Sequence, residues 1–388
     1  MEALYARVSA LLPRIGEIAP AMQKAGRIDD QLVADLDSAG AFRIFVSERW
    51  GGLGLGVREA SEVLRLLAQA DMSVSWNTSI YLATSMFIQR FPIEVQEKIF
   101  AKGPSLRSPG VLAPAGTATP VAGGARLSGR WPYASGIQHA NMVMVASMLD
   151  DVPYWFLMHR NQVAVLDDWD MAGLAASGSC TVVVEDVLVP EGWYVPILAL
   201  NLSSGHGGNS LPEPIHSYPI AYMSVMNAAM PLGVLQSAVA NARLSLSSSR
   251  PYGIARIERP ESRLCWAEAA QRLHLLELGY EDLISGSIRR AESHLLVSIE
   301  EQGKTMMAML AILHGAKDAL RSLLDTMGGS SAYRNSGLLQ RQVRDVGAMS
   351  THLILGDYHV LAERAARWML GMCSPADLPF VSWRAGAS

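Results

Sequence analysis

Charge is what this sequence has least of: Asp, Glu, Lys and Arg make up 18% of its 388 residues, and the net charge is only −4. No basic run occurs, which argues against a nucleic-acid partner, since phosphate backbones are met by clustered Lys and Arg. Cysteine is nearly as scarce. Cys180, Cys265 and Cys373 lie far apart, leaving no disulfide framework and suiting a reducing compartment. No His, Cys, Asp or Glu set has zinc-like spacing, so no metal is expected. Apolar runs of membrane-spanning length are missing too. The nearest, Ile220 to Ala240, is interrupted by Ser224, Asn227, Pro231 and Gln236 and reads as an interior helix. The N-terminus, MEALYARVSALLPRIGEIAP, has neither the basic start nor the unbroken apolar core of a signal peptide. The expectation is a soluble, cytoplasmic protein with no membrane partner.

What is there is hydrophobic material, half of all residues, enough for a large core and for apolar faces covered by other subunits. Its texture divides the chain in three. Residues 1–104 have helical spacing, as in Leu11, Ile15 and Ile18, or Ala60, Val63, Leu64 and Leu67, with Asp29 or Asp30 placed to cap a helix. The cluster Trp50-Gly51-Gly52-Leu53-Gly54-Leu55-Gly56 opens no βαβ unit, so a turn with positive φ at glycine is expected rather than a dinucleotide loop. Residues 105–217 alternate in short segments (Arg126–Tyr133, Met142–Met148, Tyr154–His159, Val163–Leu166, Cys180–Val187) and suit a small antiparallel barrel. The Ser-, Gly- and Pro-rich stretch Asn201 to Pro219 is expected to be a loop and lid. Residues 218–388 return to helical spacing in four segments, Ile220–Ser248, Glu258–Ala291, Leu295–Met327 and Gly337–Gly371, which predicts a four-helix bundle. On the last helix Asp345, His352 and His359 recur every seven residues beside an apolar face. Such a stripe is either a solvated edge or a line of groups facing a pocket.

Four places give the chain a specific resemblance. Phe45-Val46-Ser47-Glu48-Arg49-Trp50-Gly51-Gly52-Leu53-Gly54 resembles a P-E-x-x-G-G-x-G turn without its proline. GGARLSGRWPYASG (Gly123–Gly136) and GLAASGSCTVVVEDVLVP (Gly173–Pro190) resemble a flavin-facing strand and turn and the way out of a β domain. Met327-Gly328-Gly329 followed by Leu339-Gln340-Arg341-Gln342-Val343-Arg344-Asp345 resembles L-G-G … P-L-x-R-x-x-R-D. In this order they resemble the acyl-CoA dehydrogenase fold superfamily: an N-terminal α domain, a central β-barrel and a C-terminal four-helix bundle, assembled as a homotetramer.

The departure from that family is as telling. Its dehydrogenases need a carboxylate base beside the flavin, often eight residues after the R-D aspartate; here that place holds Leu353, and the alternative place near Met223 holds no carboxylate either. The histidine seven residues after the aspartate, His352, and the turn Trp131-Pro132-Tyr133-Ala134-Ser135-Gly136 are instead similar to the oxygenase component of two-component flavin monooxygenases, the hydroxyphenylacetate and hydroxysteroid hydroxylase-like branch. That resemblance implies reduced FMN or FADH2 with O2 as cosubstrate, a C4a-hydroperoxyflavin, and hydroxylation of an aromatic or polyketide-like small molecule. A separate NAD(P)H:flavin reductase is implied as partner.

By the same resemblance Ser135 and His352 are catalytic, with Asp345 reaching His352 only through an intermediary. Trp131, Trp169, Arg250, Gly328 and Gly329 would meet the cofactor, and Trp76, Tyr81 and His139 the substrate. Thr326, where dehydrogenases often carry a glutamine for the adenine half of FAD, leaves FMN and FAD both open. The rival readings are a nitrogen or sulfur oxygenase of the same family, a dehydrogenase with a relocated base, and a homologue that has lost its cofactor.

Overall fold

The computed structural model describes residues 2–197, 219–292, 298–335, 337–352 and 356–372. The expected lid, Asn201 to Pro219, lies almost wholly outside them, as does Leu353.

The N-terminal part is helical: α1 (Glu2–Ser9), α2 (Leu12–Ala25), α3 (Asp30–Ala39), α4 (Val57–Ala70), α5 (Met72–Ile88) and α6 (Ile93–Phe100). Asp29 caps α3 through the Leu32 N–H at 3.0 Å. The glycine cluster is a turn, with Gly51 and Gly54 at positive φ. Helix α5 carries small and apolar residues on every side, and almost all of it is buried. A helix of that composition has no solvent face to offer and must lie inside. It packs against α4 and against the first helix of the C-terminal part.

The middle of the chain makes a mixed sheet rather than the expected antiparallel barrel. Its strands are β1 (Gly110–Val111), β2 (Gly116–Val121), β3 (Gly124–Trp131), β4 (Met142–Leu149), β5 (Val152–His159), β6 (Ala164–Val165), β7 (Val182–Pro190) and β8 (Tyr194–Pro196). They are ordered β6-β7-β3-β2-β4-β5-β8, with β1 beside β4. The hairpins are antiparallel, but both β1 and β2 run parallel to β4. Neither has the alternating apolar pattern of a half-buried strand, so the segment before Gly124 gave no strand signal. At the sheet's centre Trp131 is wholly buried, and its indole N–H reaches the Ala146 carbonyl at 2.7 Å. Gly116 and Gly129 make that possible, because a Cβ at either would lie within 2.6 Å of the Trp131 ring.

The C-terminal part consists of α7 (Pro219–Ser248), α8 (Pro260–Glu292), α9 (Ile299–Leu323), α10 (Leu338–Met349) and α11 (Tyr358–Met369). Helix α7 is long and apolar enough over Tyr222–Ser248 to cross a membrane by length and composition, but 78% of its apolar window is buried inside the protein. It packs against α4, α8 and α9, and α9 in turn packs against α8, α10 and α11.

The helix expected over Gly337–Gly371 is two helices. The His352 carbonyl accepts the N–H groups of Gly356 (2.8 Å) and Asp357 (3.0 Å), and Asp357 caps α11 through the Val360 N–H at 3.0 Å. Gly356 lets the chain turn, since a Cβ there would lie 2.0 Å from the Met349 carbonyl oxygen. Asp345, His352 and His359 therefore share no helical stripe: the first lies in α10, the second after its end, the third in α11.

Candidate active site

A line of hydrogen bonds joins the N-terminal helices to the sheet. Asp71 starts α5 by accepting the Ser73 (2.9 Å) and Val74 (3.2 Å) N–H groups. One turn on, the Trp76 indole N–H donates to Ser135 Oγ at 3.0 Å. Ser135 Oγ lies 2.8 Å from Ser179 Oγ, and Ser179 Oγ 2.8 Å from Ser177 Oγ. All three serines are buried. Backbone bonds fix their spacing: Gly136 N–H donates to the Ser177 carbonyl at 3.1 Å, and Ala134 N–H to the Cys180 carbonyl at 3.2 Å. Asn77 Nδ2 donates to the same Ser177 carbonyl at 3.0 Å. The Tyr81 hydroxyl donates to the Gly136 carbonyl at 2.6 Å, and burial pushes its phenol well above the usual range, so it keeps that proton. Gly136 is at φ 77, and a Cβ there would lie 2.4 Å from the Tyr81 hydroxyl.

His352 closes the group from the C-terminal part. Its ring lies 5.4 Å from that of Trp76, tilted by 59°. Burial lowers its pKa to about 4, so the imidazole is neutral at pH 7. Trp169 and Tyr133 meet edge to face at 6.2 Å, with the Trp169 N–H on the Ala175 carbonyl at 2.9 Å. Tyr133 is 64% exposed, and its φ of 63 turns it out of the strand just before Ser135.

Other residues named from the sequence stand apart. Trp131, expected at the cofactor, has its ring enclosed in the sheet. His139, expected at the substrate, turns to the N-terminal helices, with Nε2 3.0 Å from the Ile28 carbonyl and Nδ1 3.4 Å from Asp30. Asp345 spends its carboxylate on the Leu174 N–H at 2.7 Å. Arg250 is exposed. The arginine beside Gly329 is Arg256, whose Nη2 would be 3.8 Å from a Cβ there, and Gly329 itself takes φ +60. Ser177, Ser179 and Asn77 escaped the sequence reading, although both serines stand in the quoted segment GLAASGSC. Their significance depends on Ser135, which stands 44 residues before Ser179 in the chain.

The comparisons bear on this geometry. The family model for the acyl-CoA dehydrogenase N-terminal domain matches residues 8–102, and that for the acyl-CoA dehydrogenase C-terminal domain matches 225–356. A pigment production hydroxylase from Rhodococcus sp. is 27% identical over 95% of this chain and 96% of its own. The oxygenase component of an FADH2-dependent resorcinol hydroxylase from Rhizobium sp. is 25% identical over 95% of this chain and 94% of its own. Among solved structures, XiaF from Streptomyces sp. in complex with FADH2 and glycerol superposes with a TM-score of 0.88 at 23% identity, covering 96% of both chains. The chain thus belongs to the acyl-CoA dehydrogenase superfamily and stands among its flavin-dependent monooxygenase oxygenase components.

Proposed function

We propose that this oxygenase component uses reduced FMN or FADH2, supplied by a separate NAD(P)H-dependent flavin reductase, and O2 to hydroxylate an aromatic or polyketide-like small molecule. The observation that carries the reading is the line Trp76–Ser135–Ser179 beside His352. Its residues fit a flat heteroaromatic group. The Asn77 side-chain oxygen is buried with no protein hydrogen-bond partner, so an acceptor is left over beside a polar line. Tyr133 and Trp169 offer ring surface at the rim. Ser135 and Asn77 would hold the polar edge of the flavin and Trp169 its face, with Arg256, Gly328 and Gly329 toward its phosphate end. When bound, reduced flavin supplies the two electrons that activate O2.

The chain's own residues do the rest. Trp76, buried on α5, fixes Ser135 Oγ and leaves little room for water near it. His352, neutral at pH 7, accepts a hydrogen bond from a phenol-like hydroxyl and takes its proton as oxygen is added to the ring, when that hydroxyl has become strongly acidic. Tyr81 positions the turn rather than the substrate, because its hydroxyl is already given to Gly136. We also divide the chain at 104/105 and 217/218, group its C-terminal helices as a four-helix bundle whose fourth member is the pair α10 and α11, and place it in the cytoplasm as a homotetramer.

A dehydrogenase reading is not favoured, because the side-chain partners of Ser135 are Trp76 and Ser179 and neither is a carboxylate. The test compares wild type with His352→Ala, supplying reduced flavin from a reductase. Product formation should fall roughly hundredfold, the lower end of the usual weight of a general base, with flavin binding little changed. If the wild type instead bleaches oxidised flavin with an acyl-CoA under anaerobic conditions and hydroxylates no phenol, the proposal is overturned.

A further inference from the structure

We infer that Asp345 is a positioning residue for the Trp76–Ser135 pair: from α10 it holds the segment that carries Ser177 and Ser179, while Arg341, one turn earlier, holds the start of the helix that carries Trp76. Asp345 is buried and accepts the Leu174 N–H on its Oδ1 at 2.7 Å. In a water-poor interior the Leu174 N–H would otherwise be left without a partner, which costs more than the bond itself contributes. Leu174 has φ +52, a left-handed backbone that a leucine adopts only when its surroundings hold it there. Its neighbour confirms how tightly this segment lies on α10. A Cβ at Gly173 would sit 2.2 Å from the Arg344 carbonyl oxygen, so backbone meets backbone with no space for a side chain.

From Leu174 the restraint runs a short way. The Leu174 carbonyl accepts the Ser177 N–H at 2.9 Å, and the Ser177 carbonyl accepts Gly136 N–H and Asn77 Nδ2. The hydroxyls of Ser177 and Ser179 follow from that backbone, and Ser135 follows from them. On the other side Arg341 Nε lies 3.6 Å from Asp71 Oδ2, an ion pair in which both side chains are almost wholly buried. Asp71 is the cap of α5, five residues before Trp76. Residues 341 and 345 lie on one face of α10. That one turn of helix thus fixes both ends of the bond between Trp76 Nε1 and Ser135 Oγ, and the same helix leads on to His352.

The experiment is peptide-resolved hydrogen exchange on the ligand-free full chain for wild type, Asp345→Ala, Asp345→Asn and Gly173→Ala. Asp345→Ala should speed exchange in 174–180 and 134–137 by roughly tenfold or more, leaving α4 and α7 as they were. Asn keeps an acceptor for the Leu174 N–H, so Asp345→Asn should stay near wild type. Gly173→Ala should loosen the same two segments with the carboxylate intact. Unchanged exchange in Asp345→Ala would overturn the inference. So would loosening in Asp345→Asn equal to that in Asp345→Ala, or a uniform rise reaching α4 and α7.

A second arm rests on the monooxygenase reading. Product per reduced flavin consumed should drop severalfold in Asp345→Ala and recover in Asp345→Asn, with flavin binding held within about twofold. Exchange as expected in a wild type that forms no hydroxylated product would sink the monooxygenase reading and leave the positioning role standing.

Discussion

At the scale of single residues, the candidate site holds groups whose usual behaviour is altered by burial. A histidine in water titrates near neutrality, where it is half charged; His352 is held neutral down to about pH 4. The acid limb of kcat/KM should therefore lie well below pH 6.5, and a limb at the ordinary histidine value would show that His352 is not the group being titrated. Ser135→Ala removes the acceptor of the Trp76 N–H and leaves that donor buried. Product per reduced flavin should fall by about a hundredfold, the lower end of what one hydrogen-bonding group at a reacting centre contributes, with hydrogen peroxide rising in its place. Peroxide measured against product checks it. His352 and Ser135 could be singled out in the sequence because they sit in motifs, and the fold brings both to Trp76. Ser177, Ser179 and Asn77 were not, because what selects them is proximity across the fold. Trp131 misled for the opposite reason: it stands in a motif, but Gly116 and Gly129 hollow out a niche that draws its ring into the sheet.

At the scale of elements, the informative failure is the last helix. Periodicity alone runs through residues 337–371 without interruption, and the break between α10 and α11 is marked by one glycine and one aspartate, Gly356 and Asp357, which follow the end of α10 at Met349 and close the turn into α11. Neither residue type is rare inside a helix pattern, so only the geometry distinguishes a stop from a tolerated substitution. Gly356→Ala must push a Cβ into the Met349 carbonyl. The expected cost is roughly 1–3 kcal/mol, as for other overpacked sites, seen as a lower Tm. Product yield should drop further than flavin affinity, since the corner carries His352. A variant with wild-type Tm and yield would mean that the corner relaxes freely. The strands β1 and β2 were missed for a related reason: β1 has only two residues and pairs in parallel with distant β4, while β2 forms a hairpin with β3 but buries none of its residues, so neither shows the apolar alternation of a half-buried strand.

At the scale of the whole molecule, the helix–sheet–helix order was legible because it needs only changes of period along the chain. The mixed character of the sheet was not, because strand direction is decided by connections. Burial also makes stability depend on pH in two opposed ways. Burial and the nearby Asp71 charge raise Asp345 from 3.8 to about 7, so the unfolded chain loses that proton first, and stability falls as pH rises from about 4 to 7. His352 is lowered from 6.5 to about 4, so the unfolded chain gains its proton first, and stability falls as pH drops through that interval. Compared with wild type, Asp345→Asn should flatten the loss on the alkaline side, and His352→Phe the loss on the acid side. Chemical denaturation at pH 4, 5.5 and 7 checks both, and parallel curves for wild type and variant would contradict the corresponding shift.

The hydroxyl line has one more consequence. An indole can give a hydrogen but never take one, so Trp76 always occupies one lone pair of Ser135. What remains on that oxygen is a single lone pair and a single hydrogen, divided between Ser179 and any molecule bound beside it. When Ser179 gives, that molecule is offered a hydrogen; when Ser179 takes, it is offered a lone pair. Rotation of two hydroxyls, with every heavy atom at rest, is then enough to reverse the polarity presented to a reactant and to its product.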